Sequence, residues 1–183
     1  LFSDLSNKLT ALSERQSQHE LQSLTLSRVD QAFVRPASFV EMDDDVLSVV
    51  KVLQDTKAAS VLVRDGSCTP PRLGIFTATT LQRVILNGAP LDQQKVGAYA
   101  NFSLITIKPS DQVGDALATL MRHRVHRLVV MDDEGGAVGV LEALDLFSFL
   151  SNHSHLITMQ MEAANDVTGL AQASAQITRM VNT

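Results

Sequence analysis

Cysteine, tryptophan and long apolar runs are scarce or missing in this chain of 183 residues, and each shortage removes a class of explanation. The one cysteine, Cys68, leaves no intrachain disulfide and no thiolate metal cluster, and it suits a reducing compartment. No apolar run approaches the roughly 20 residues of a membrane-spanning helix, and no charged-then-apolar leader opens the chain. A soluble protein is therefore expected, with the cytoplasm as its default location and no membrane partner. No block of Lys or Arg interrupts a net charge of −5, so a sequence-independent grip on nucleic acid has little basis. A phosphate-binding glycine loop, a Gly-x-Ser-x-Gly elbow and a His-Glu-x-x-His pair are missing too. Cys68 stands in a proline-flanked loop without an identifiable activating partner, and no catalytic site is expected within this segment.

What is present is an aliphatic chain, 45% apolar and 19% charged, which predicts a packed α/β core rather than disorder. From Phe2 to about Phe33 there is no Gly or Pro, and Leu5, Leu9 and Leu12 recur at helical spacing, which predicts a long amphipathic helix. Gln16 and His19 fall where that stripe would continue. The helix is either a self-association surface with polar register marks or a cover for its own domain. The chain starts at Leu1 and stops at Thr183 inside a helical pattern, which suggests an excised piece of a longer polypeptide.

Pro36 ends the first pattern, and a new order of elements begins. Phe39 to Met42 reads as a strand, Val46, Val49, Val50 and Leu53 as a helical stripe, Ser60 to Val63 and Leu73 to Phe76 as strands, and Thr79 to Leu86 as a helix. After Gly88 and Pro90 the order returns: strand Leu104 to Ile107, a helix carrying Val113, Ala116, Leu117 and Leu120, then strands Leu128 to Val130 and Val138 to Leu141. Val46 aligns with Val113, Leu53 with Leu120 and Asp65 with Asp132, a constant offset of 67; Gly74 aligns with Gly139 at an offset of 65. Such self-similarity marks an internal repeat. The expected layout is an N-terminal helix over 1–33, repeat one over 34–88, repeat two over 89–150 and a C-terminal helical extension over 151–183.

Each repeat closes on a glycine and two apolar residues leading into a helix, GIFTATTL from Gly74 and GVLEALDL from Gly139. With LITIKPSDQVGDAL from Leu104 and VHRLVVMDDEG from Val125, the chain resembles a tandem CBS domain pair, also called a Bateman module, and in particular the nucleotide-sensing repeats of AMP-activated protein kinase γ subunits. The resemblance covers about Arg35 to Leu150. It implies two β-α-β-β-α repeats packed with pseudo-twofold symmetry, flanked by helices. The flanks, LSERQSQHELQSL and LSNHSHLITMQMEAA, are similar to those of multi-domain bacterial signal-transduction proteins. In these a cyclic-nucleotide-binding-like domain precedes the pair and a nucleotidyltransferase-like domain follows.

The resemblance implies a regulatory module, probed by an adenine nucleotide such as AMP, ADP or ATP and acting on neighbouring domains of the parent chain, with a homodimer as its assembly. In the second repeat it places Leu104 against the base, Asp145 where a carboxylate accepts from ribose hydroxyls, and Thr106 among the ligand-binding residues. His126 and Arg127 stand at ligand-reaching positions, and an arginine fork suits phosphate. Glu142 departs from the family, which carries Ser or Thr there. An ionised carboxylate would repel phosphate, so the cleft either prefers less phosphate charge or Glu142 pairs with Arg127 in the empty state. In the first repeat Thr77 keeps the hydroxyl, but Thr80 replaces the aspartate and Ser60 replaces Arg127. Losing a hydrogen bond to a charged group costs roughly 1.5–3 kcal/mol, about ten- to a hundredfold in affinity, and makes this the weaker cleft.

Plainer readings stand beside these. Arg122 and Arg124, with His123, suit a solvated helix C-terminus, Asp145 could cap a helix, and Asp43, Asp44 and Asp45 suit a helix start rather than a metal site. His153 and His155 lack further ligands at zinc spacing, and Met159 and Met161 suit packing. The alternative for the whole chain is a degenerate pair that dimerises its parent and binds no ligand.

Overall fold

The computed structural model describes residues 2–152. The expected extension over 151–183, with His153, His155, Met159 and Met161, lies almost wholly outside the described residues.

Helix α1 runs Phe2–Thr25 and stops eight residues short of the expected Phe33. The physical reason lies in the residues that follow. Ser27 O accepts from Val113 N at 2.7 Å, Val29 N donates to Asp111 O at 2.7 Å and Asp30 N donates to Pro109 O at 3.1 Å. These backbone groups are committed to another segment and cannot serve an intrahelical ladder. Val29–Gln31 forms a short 3-10 turn instead, with Val29 fully buried.

The first repeat then follows as β1 (Arg35–Pro36), β2 (Phe39–Glu41), α2 (Val46–Thr56), β3 (Ser60–Asp65), β4 (Arg72–Thr77) and α3 (Ala78–Leu86). The second follows as β5 (Thr106–Ile107), α4 (Val113–His123), β6 (Arg127–Met131) and β7 (Ala137–Glu142), and residues 143–152 form a further helix, α5. The expected strand from Leu104 is shorter than its pattern suggested, with only Thr106 and Ile107 paired, to Val129 and Val130.

The 67-residue offset is written into the hydrogen bonds as well as the sequence. Both α2 and α4 end on a left-handed residue, Lys57 and Arg124, each at φ 52°. Asp44 accepts from Glu41 N, and Asp111 from Lys108 N, each at 2.9 Å. Asp65 accepts from Ser67 N, and Asp132 from Glu134 N, each at 3.0 Å. Short aspartate side chains satisfy the backbone just ahead of them and so fix each turn. The repeat also reaches back into the linkers. Val46 N donates to Gln94 O and Val96 N to Asp44 O, matching at the same offset the bonds of Val113 with Ser27 and Val29 with Asp111.

Two sheets form, β2-β3-β4 and β1-β7-β6-β5. Strand β3 is parallel to β2 and antiparallel to β4, with Ser60 opposite Thr77. It is buried on both faces, which accounts for its unbroken apolar run. Val61 and Val63 join Val40, Val46, Val49, Leu53, Phe76, Val84 and Val96 in one cluster. Leu62, pointing the other way, packs with Val129 and Val140.

The chain divides into two compact units that cut across the repeats. Among the described residues one holds 2–34, 108–127 and 141–152; the other holds Arg35–Ile107 and Leu128–Val140, including both clusters just named. In the first unit α1 meets α4 where Gly114 stands, since a Cβ there would lie 3.1 Å from Thr25 O. Among the described residues no helix is long and apolar enough to cross a membrane.

Candidate functional site

The first unit holds four of the residues that the sequence singled out: His126, Arg127, Glu142 and Asp145. Arg127 opens β6 and Glu142 ends β7, immediately before α5. Arg127 Nε donates to Glu142 Oε1 at 3.1 Å and to Oε2 at 3.3 Å. Both side chains are partly buried, 23% and 15% exposed, so solvent screens this pair less than a surface ion pair. Of the two readings left open for Glu142, the pairing with Arg127 is the arrangement found. His126 is exposed, and its carbonyl accepts from Ala143 N at 2.8 Å, tying β6 to the start of α5.

Asp145 lies in the first turn of α5 and lines a groove of about 870 Å³. Gln31, Phe33, Ser148, Phe149 and Asn152 line it too, so two aromatic rings share the groove with hydrogen-bonding groups. That combination suits a flat ligand with a polar rim.

The equivalent place in the second unit is filled. There Asn87 Nδ2 donates to Tyr99 Oη at 2.7 Å, the Tyr99 hydroxyl donates to Gln94 Oε1, and Gln94 Nε2 donates to Ala89 O at 2.7 Å. At the repeat offsets Tyr99 corresponds to Ala32, Gln94 to Ser27 and Asn87 to Asn152. Ala32 and Ser27 are smaller than Tyr99 and Gln94, while Gln31, Phe33 and Phe149, which also line the groove, are larger than their counterparts Ala98, Ala100 and Val84. Gln31, Phe33, Phe149 and Asn152 were missed in the sequence. Carrying the 67-residue alignment back past Pro36 pairs Val29 with Val96 and would have exposed the Tyr99-to-Ala32 change.

The residues of the weaker cleft are all in the second unit. Thr77 Oγ1 accepts from Thr80 N at 3.3 Å and lies 3.2 Å from Thr80 Oγ1, so it caps α3. Ser60, opposite Thr77 in the ladder, is 9% exposed. Leu104 and Thr106 also belong to this unit: Leu104 packs on the Leu62, Val129 and Val140 cluster, and Thr106 is exposed in β5.

The remaining candidates have structural employment. Asp45 caps α2 by accepting from Ser48 N at 2.8 Å, Asp44 closes the preceding turn, and Asp43 pairs with Lys95 at 3.2 Å. Among the described residues no group of three or more His, Cys, Asp or Glu is placed to hold a metal ion. Asp65, only 4% exposed at its side chain, is held below the ordinary carboxylate range by hydrogen bonds from the Ser67 hydroxyl and amide and by Arg72 at 3.1 Å.

Set against known proteins, residues 96–152 match the sequence profile of the CBS domain family. An uncharacterized protein of Methanocaldococcus jannaschii is 26% identical over 137 residues, spanning 70% of this chain and 72% of that one. The fold is that of solved CBS-domain structures. The CBS domain of a CBS domain containing membrane protein from Sphaerobacter thermophilus superposes with a TM-score of 0.65 at 19% identity, covering 76% of this chain and 97% of that chain. A CBS domain protein from Pyrobaculum aerophilum, solved in complex with AMP, superposes with a TM-score of 0.59 at 21% identity, covering 69% and 99%.

Proposed function

We propose that this chain is a regulatory, non-catalytic module of a cytoplasmic signalling protein, and that its first unit binds an adenosine-containing ligand whose occupancy is relayed to neighbouring domains. The observation that carries the reading is the groove that Asp145 lines together with Gln31, Phe33, Phe149 and Asn152. A carboxylate accepts from two ribose hydroxyls, the rings of Phe33 and Phe149 offer apolar surface to a base, and Arg127, which pairs with Glu142, is with His126 the candidate donor to an anionic tail. The AMP held by the Pyrobaculum aerophilum protein supports an adenine ligand on this fold. Binding regulates only if the ligand favours one arrangement of the protein over another. The reading includes a homodimer, favoured by Leu5, Leu9 and Leu12 on α1, which are 55–62% exposed on one face.

Titration calorimetry with AMP, ADP, ATP, S-adenosylmethionine and cyclic dinucleotides tests the site. At least one is expected to bind, and Asp145→Ala is expected to weaken it by about ten- to a hundredfold. Heat from none of them removes the sensing role and leaves the structural one; binding indifferent to Asp145→Ala removes this site.

A further inference from the structure

We infer that α1 is a dimer seam, pairing in parallel and in register with α1 of a second copy of this chain as a two-stranded coiled coil. This rests on the homodimer included in the reading above, and it assigns the surface that makes the dimer and the direction in which the two copies meet.

The need for a partner comes from the helix itself. Every side chain described from Ser3 to Ser23 is exposed. The contact with α4 falls in the last turn, where Leu24 and Thr25 are partly buried and Thr25 O lies against Gly114. Ser3, Ser6, Asn7 and Thr10 are weak helix formers, and a helix with water on all sides is marginal. A seam that could bury one side of it is present. Leu5 and Leu12 stand seven residues apart, with Leu9 between them at spacings of four and three, the alternation of a two-stranded coil. They are 62%, 59% and 55% exposed in that order. His19 follows Leu12 by seven more, so the apolar seam closes on a polar residue of the kind that fixes register at some cost in stability.

The charges beside the seam choose the occupant and its direction. Lys8 and Arg15 are also seven apart and flank the leucines on one side. The opposite flank, on which Ser6 stands, carries no Lys or Arg at its seven-residue recurrences along the helix. In a parallel pair each flank faces the opposite flank of the other copy, so the cationic edge meets one without cations. In an antiparallel pair like flanks face each other, and Lys8 comes against Lys8 or Arg15 of the other copy, which opposes association. The parallel pair also stacks Leu5, Leu9 and Leu12 each on its own counterpart. Both copies then hold α4, and the groove that Leu24 lines, toward the same end of the paired helices.

The test is disulfide trapping in the full chain with Cys68 replaced by Ser. Leu5→Cys and Leu12→Cys are made singly, with Thr10→Cys, outside the seam, as the control, and each is mildly oxidised at a concentration where light scattering reports a dimer. Both seam variants are expected to cross-link to about half or more and the control to less than about a tenth. Positions 5 and 12 lie roughly 10 Å apart along the helix, and in an antiparallel pair a residue meets its own counterpart only at the crossing point, so at most one of the two could cross-link. A dimer in which one or neither seam variant cross-links overturns the parallel pair and leaves the homodimer. A wild-type chain that is monomeric at all concentrations overturns both. Leu9→Lys spares both trapping positions and reads the seam independently. It is expected to raise the dimer dissociation constant by about a hundredfold or more, with thermal unfolding nearly unchanged. A dimer that survives this substitution has its interface elsewhere and overturns the inference even where a cysteine variant fails to fold.

Discussion

At the scale of single residues, two carboxylates with different surroundings lead to different expectations. Asp65 is buried among donors, and its folded pKa lies below its unfolded value because the Ser67 hydroxyl, the Ser67 amide and Arg72 all favour the charged form. The unfolded chain therefore binds the proton more readily, and the stabilisation is present above the unfolded carboxylate value and lost as pH falls through the folded one. Thermal unfolding of Asp65→Asn and wild type from pH 7 to pH 2.5 is expected to show the variant less stable at neutral pH, with the two curves converging at the acid end. A gap that stays constant with pH would refute it. For Arg127 and Glu142 the expectation concerns coupling. Removing one partner leaves a partly buried charge unpaired, so Arg127→Met is expected to cost about 1–2 kcal/mol, less than a fully buried pair because solvent still reaches both groups. The double variant Arg127→Met with Glu142→Leu is expected to lie close to wild type, read by urea unfolding in a double-mutant cycle.

At the scale of elements, the informative pieces are the short ones. Strands β3 and β6 and helices α2 and α4 were legible because their apolar residues alternate or recur over enough positions to declare a period. The 3-10 turns at Val29–Gln31 and Val96–Ala98 carry no period, yet each plugs a buried valine into the core and hydrogen-bonds the loop before a helix. Val29→Ala, in a turn that sequence inspection would treat as linker, is expected to destabilise the protein by about 2 kcal/mol, whereas Leu9→Ala, on the exposed face of α1, is expected to change stability by less than about 0.5 kcal/mol. Equal losses for the two would mean that the turn is not part of the core. The candidate site divides in the same way. Asp145, Arg127 and Glu142 could be read from their register within a repeat; Phe33 and Gln31 could not, because they sit upstream of the repeat as its sequence pattern delimited it and reach the groove only through the fold.

At the scale of the whole molecule, three leucines one helical turn apart on α1 are more than half exposed, an arrangement that a monomer leaves in contact with water and a second copy can cover. Light scattering is expected to give a dimer, and replacing Leu5, Leu9 and Leu12 together by Lys is expected to yield a monomer with nearly unchanged thermal unfolding. A wild-type monomer at all concentrations would set the homodimer aside. The sequence by itself determined the repeat, the α/β class and the turn chemistry, since these depend on local periods and on aspartates bonding to neighbouring amides. It also determined which repeat carries Asp145 and a basic pair. Only the tertiary structure decided that α1 stops at Thr25, that the compact units cut across the repeats, and that a groove opens beside Asp145 while its counterpart is filled by Tyr99, Gln94 and Asn87. The physical reason is common to all three: each depends on which distant backbone groups and side-chain volumes meet, and no local period records that.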